Sequence, residues 1–193
     1  MKKLSYLLIA AAAWTFQACG DAEHDPIEAA QEVNEEKGTL DSSLNDGGLF
    51  GKSDADFMVL SAGAGMLEVE AGKLGEQKAT NPQVKEFAAM LAKDHEAANS
   101  ELKALAAQKN ITLPTAIGED HQEDLNDLRE KSGADFDKEF MDMMVDQHEE
   151  DVNRFEKFAN DAEDADIKAF AGKTLPKLRA HLEKARTIKD GLK

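Results

Sequence analysis

Three histidines, His95, His148 and His181, stand where helical periodicity asks for aliphatic side chains. In "MLAKDHEAANSELKAL", residues 90–105, the stripe runs Leu91, His95, Ala98, Leu102 and Leu105 at steps of three and four. His148 shares a second stripe with Met141, Met144, Asp151, Phe155 and Phe158, and His181 shares a third with Ile167, Ala171, Thr174, Leu178 and Ala185. Burying an imidazole without a partner costs about 2–7 kcal/mol, so each ring needs one. Two kinds of partner fit. Imidazoles converging from separate helices offer the nitrogen donors that zinc, copper or iron accept, with Glu68 completing the coordination and Asp94, Asp151 and Met144 in support. Alternatively, each ring hydrogen-bonds a carboxylate or hydroxyl across the core, with Glu68, Asp94, Asp151 and Thr174 in reach, and the layer fixes register. The residue types leave both readings open.

Four long helices must position these groups. The first runs from a Ser53 or Asp54 cap to about Lys78, with Phe57, Leu60, Ala64, Leu67, Ala71 and Leu74 on its seam and Glu68 beside it. "TNPQ" interrupts, because Pro82 suits a first helical turn that Asn81 can cap. The second helix reaches about Lys109. A polar connector follows, "GEDHQEDLNDLREKSG", with only Leu125 and Leu128 to bury. The third helix spans about Ala134 to Asp161, and the fourth runs from about Asp164 to the C-terminus with Pro176 inside it, where a kink is expected. At about 27 residues each, these helices are on the order of 40 Å long and suit an antiparallel four-helix bundle. Each histidine falls near the middle of its segment, so the three should share one level.

The N-terminus reads as a secretory signal over residues 1–18, with Lys2 and Lys3 before an uncharged run too short for a comfortable membrane span. Cys19 is the only cysteine in the chain, and "FQAC" resembles the lipobox of bacterial lipoproteins, which implies lipidation at Cys19. Cleavage there would change the net charge from -16 to 21 minus 39, or -18. Residues 20–52 are acidic and rich in Gly, Ser and Asp, which suits a flexible tether in which 27–37 forms only a transient helix. Gly20 after the cysteine lacks an inner-membrane retention aspartate, so the expected location is the cell envelope, on an outer-membrane anchor facing the periplasm or cell surface.

Charge and motifs exclude several classes. An acidic chain of this kind repels phosphate backbones, so nucleic acid is not expected as a partner. There is no P-loop, no G-x-S-x-G and no cysteine beyond Cys19, which leaves nucleotide, hydrolase and thiol chemistry without support. The acidic runs "GEDHQED" and "NDAEDAD" lack EF-hand spacing, and the methionines read as core filler. His24 and His121 are expected to face solvent.

The stretches "LSAGAGMLEVEAGKL", "VKEFAAMLAKDHEAANSEL", "SGADFDKEFMDMMVDQHEEDVNRFEKFA" and "KAFAGKTLPKLRAHLEKA" resemble the DUF4142 family over about Asp54 to Leu192. Its landmarks are Asp94-His95, the Ser132 to Asp137 turn, Asp146 and His148 with Asp151 following, and the run from Leu175 to His181. The resemblance implies an all-α, ferritin-like bundle over residues 53–193 in a bacterial envelope protein. Di-iron members of that fold place a Glu three residues before a His, whereas this chain has Ala92, Val145 and Leu178 before its three histidines. Oxygen-activating chemistry therefore lacks its ligand template. The expectation is a non-catalytic envelope protein that binds a transition metal, with a structural or partner-binding bundle, including a homo-oligomer, as the alternative.

Overall fold

The computed structural model describes residues 24–38 and 53–192. The signal segment, Cys19 and residues 39–52 lie outside them. Six helices follow in order: α1 (Pro26–Glu36), α2 (Asp54–Lys78), α3 (Pro82–Lys109), α4 (Glu119–Glu130), α5 (Gly133–Asp161) and α6 (Ala165–Gly191). No strand occurs among the described residues.

Local chemistry sets the boundaries. Ser53 caps α2 through Oγ, which accepts from Asp56 N at 3.1 Å. Asn81 Oδ1 caps α3 ahead of Pro82, and Asp164 Oδ1 caps α6. Asn110 ends α3 in the left-handed region at φ 58°. Gly133 opens α5 at φ +59°, a conformation that glycine adopts without strain. α6 continues unbroken through Pro176.

The helices α2 and α3 form one antiparallel hairpin, and α5 and α6 form a second. Two aspartates join the hairpins at opposite ends. Asp137 at the start of α5 accepts from Thr80 N and Asn81 N in the α2–α3 turn, both at 2.9 Å. Asp54 at the start of α2 accepts from Asp164 N, at 2.6 Å, in the α5–α6 turn. With its two ends so pinned, the bundle needs α4 and its flanking loops to carry the chain back along its length. This is a ferritin-like four-helix bundle with one long crossover.

Two hydrophobic clusters fill the interior. One contains Leu67, Phe87, Leu91, Phe136, Phe140, Met141 and Met144, while the other contains Phe57, Leu102, Phe155, Phe158, Phe170 and Leu178. Phe57 stacks on Phe158 at 4.4 Å between ring centroids. Between the clusters lies a polar layer. No helix among the described residues is long and apolar enough to cross a membrane.

The expectation of a tether over residues 20–52 needs correction for the part described. Residues 26–36 form a helix docked on the bundle, with Ala30 and Asn34 buried. Asn34 exchanges two hydrogen bonds with the Thr112 backbone, donating to O at 2.8 Å and accepting from N at 2.7 Å. Ile27 packs where Gly63 and Gly118 leave room for it. The partners of α1 come from α2 and from the α3–α4 loop, 78 residues away for Asn34, which local composition could not reveal.

Candidate metal centre

Each inward polar residue lies within three residues of its helix midpoint, with Glu68 on α2, His95 on α3, His148 on α5 and His181 on α6. The terminal aspartate contacts hold the helices level, so these positions meet. Centroids of the three imidazole rings lie 5.4–5.5 Å apart pairwise, and one nitrogen from each ring lies within 4.8 Å of the others. All three histidines and Glu68 are buried.

Outer partners fix the tautomers of two rings. His148 Nδ1 lies 2.9 Å from the Met144 carbonyl oxygen, and because a carbonyl only accepts, Nδ1 carries the proton. His181 Nε2 lies 3.0 Å from Asp94 Oδ2. Partial burial works to raise Asp94, but hydrogen bonds from His181 and Lys177 outweigh it and hold the carboxyl below its ordinary value. Asp94 is therefore an acceptor, and His181 Nε2 carries its ring's proton. Burial lowers both histidines, His181 to about 4, so both rings are neutral at pH 7. Two bare lone pairs, on His148 Nε2 and His181 Nδ1, then face each other across 3.4 Å. Neither can donate to the other.

His95 differs, because no outer hydrogen bond fixes its tautomer. Its Nδ1 lies 2.7 Å from Glu68 Oε2, and its Nε2 is buried with no hydrogen-bond partner. Burial lowers this ring as well, against the charges of Asp151 and Asp94. Glu68 Oε1 lies 3.3 Å from His148 Nδ1. Although both carboxylate oxygens are close to imidazole nitrogens, neither is aligned to accept a hydrogen bond from them. Burial pushes Glu68 up to about 7, against the pull of His148 and Arg154. Asp151 is raised to about 6 by burial and by the charge of Glu68, while Arg154 opposes the rise.

Such a layer fits a cation better than a hydrogen-bond network. A network needs donors, and the inward atoms of His148 and His181 are acceptors. Metal–imidazole bonds of about 2.0–2.1 Å at a tetrahedral angle place two donor nitrogens ~3.3 Å apart, close to the 3.4 Å seen here. Burial has already removed the protons that would compete for those nitrogens.

The residues expected from sequence meet, with one change of role. Asp94 supports His181 directly, and Asp151 sits beside Glu68. Met144 contributes its backbone carbonyl, with its side chain in the hydrophobic core. Thr174 lines the small cavity next to the rings. Arg154 was missed. It is 4% exposed and donates through Nη1 to Asp151 Oδ1 at 2.6 Å. Its spacing of three residues from Asp151 is the signal in the sequence, but the same spacing describes any exposed helical ion pair.

Fold and site together define a ferritin-like bundle with a buried three-histidine cluster at its centre. Residues 41–188 match DUF4142, a domain of unknown function, and the chain belongs to that family. No curated protein sequence matches it. Among solved structures, the chain is similar to CopM in the Cu(II)-bound form, with a TM-score of 0.64 and 18% identity. That likeness covers 74% of this chain and 99% of CopM. It supports the fold.

Proposed function

We propose that this chain is a lipid-anchored envelope protein that holds one transition-metal ion on His95, His148 and His181, with Glu68 as the adjoining carboxylate. The observation that carries the proposal is the pair of facing lone pairs on His148 and His181, which a cation would relieve. The nitrogen and oxygen donor set favours Cu(II) over Zn(II) and the other first-row divalent ions. The CopM structure, a bundle of the same fold with Cu(II) bound, is consistent with that preference. Met144 and Asp94 serve as outer groups that orient the rings. The role is to bind and buffer the ion, because the Glu-x-x-His ligands of oxygen-activating bundles are absent.

The test uses the mature chain without an affinity tag, with Cys19→Ser to prevent lipidation and thiol binding. Titration with Cu(II), Zn(II) or Fe(II) is followed by melting temperature and elemental analysis. One equivalent of Cu(II) with a raised melting point is expected, and His148→Leu should abolish both effects. Without metal, that variant should melt at or above wild type, because it removes a buried polar group. Absence of any stoichiometric metal would return the layer to a purely structural role.

A further inference from the structure

The three rings are not equally enclosed. The His148 and Glu68 side chains are 0% and 1% exposed, while those of His95 and His181 retain 7% and 4%. A cavity of about 30 Å³ adjoins the two less enclosed rings, lined also by Asp94, Asn99, Thr174 and Lys177. That is room for about one water molecule. Glu68 and Asp151 line the cavity too, but Lys177 is exposed and Asp94 partly so, which places a mouth of it between α3 and α6. On the α2–α3 side the backbones approach so closely that a Cβ on Gly72 would lie 2.9 Å from both Ala88 O and Ala92 N.

Ion pairs close the α3–α6 seam along its length. Lys184 reaches Glu86, Lys177 reaches Asp94, Lys173 reaches Glu101 and Lys109 reaches Asp166. The pair at the level of the rings differs from its neighbours. Asp94 Oδ1 accepts from Lys177 Nζ at 3.2 Å, while its Oδ2 accepts from His181 Nε2 at 3.0 Å. One carboxylate thus touches both the centre and a surface cation. The Asp94 side chain is 25% exposed and that of Lys177 is 53% exposed.

We infer that the centre is reached through the α3–α6 seam, with Asp94 receiving an incoming divalent cation and Lys177 occupying that carboxylate until displaced. This rests on the metal-binding reading for its cargo, though the route itself is a property of the protein alone. The Lys177 ammonium neutralises the first anionic group that a hydrated cation would meet, and exchange of the two cations at Asp94 precedes dehydration at the rings. Lys177 therefore governs the rate of loading and release while contributing little to the affinity.

Two measurements on the mature chain test this. In stopped-flow mixing with Cu(II), Lys177→Ala should load about fivefold faster than wild type, through loss of charge repulsion, and release to a chelator should accelerate similarly. Lys73→Ala is the control, because it removes the same charge from an exposed Lys73–Glu96 pair on the α2–α3 face and should leave the rates unchanged. In metal-free protein, carbethoxylation by diethyl pyrocarbonate, read by peptide mass spectrometry, should reach His181 and His95 before His148. Lys177→Ala should accelerate only the first two. Equal rates in wild type and Lys177→Ala, or equal acceleration by Lys73→Ala, would overturn the gate while leaving the metal site standing. Failure of every variant to take up Cu(II) would overturn the metal reading, and the carbethoxylation order would then decide the route alone. Modification of all three rings at one rate would overturn the route, since access would require opening of the whole bundle.

Discussion

At the scale of single residues, the centre is a set of buried ionisable groups whose protonation is set by burial. Glu68 ionises near 4.5 in the unfolded chain and near 7 when folded. Between those values the native state holds a proton that the unfolded chain has lost, so stability falls as pH rises through the window and stays low above it. Asp151 acts with the same sign between 3.8 and about 6. The histidines act oppositely. Below 6.5 the unfolded chain gains protons that the buried rings refuse, His181 until about 4, so acid also destabilises the metal-free fold. Glu68→Gln removes the part of this dependence that reaches up to about pH 7 and leaves that of Asp151 and the histidines. Metal-free Glu68→Gln should exceed wild type at pH 8 by on the order of 3 kcal/mol in denaturant unfolding, with the gap closing near pH 4.5. A gap independent of pH would show that Glu68 does not titrate in this window.

At the scale of elements, the spacing between α2 and α3 is what brings Glu68 to His95. Gly72 in α2 faces the backbone of α3 at Ala88 and Ala92. Gly172 in α6 differs, since an added Cβ would meet only the Ala159 Cβ at 4.0 Å. Both lie inside helices, where alanine is intrinsically the better residue by about 1 kcal/mol. Gly172→Ala should therefore stabilise by about 0.5–1 kcal/mol. Gly72→Ala should destabilise by about 1–3 kcal/mol, because two backbones would have to separate. Thermal unfolding of the two variants checks this, and stabilisation by Gly72→Ala would mean that the hairpin has slack at that level. The helix bounds themselves were legible, because caps such as Asn81 and Asp164 and the three-four apolar steps are local signals.

At the scale of the whole molecule, charge and attachment dominate. The mature chain, at 21 minus 39, would be repelled by anionic headgroups, so the proposed anchor depends on acyl chains at Cys19. Cys19→Ala should move the protein out of the membrane fraction, as read by fractionation and immunoblotting, and wild-type recovery in that fraction would refute the anchor. Among the described residues, Val33 is the large hydrophobic side chain classed as exposed.

The sequence by itself determined the class of fold, the four long helices and the coincidence in level of His95, His148 and His181, because helical period, capping and segment length are written locally. The DUF4142 motifs were legible for the same reason. Tertiary structure decided what the histidine layer can do. Ring tautomers depend on Met144 O and on Asp94 from another helix, and only their positions in space make the inward nitrogens acceptors. Burial of Arg154, docking of α1 on the Thr112 backbone and the Asp94–Lys177 contact across the seam are likewise invisible in local pattern. Each depends on which faces of distant segments meet, and packing of the assembled bundle decides that.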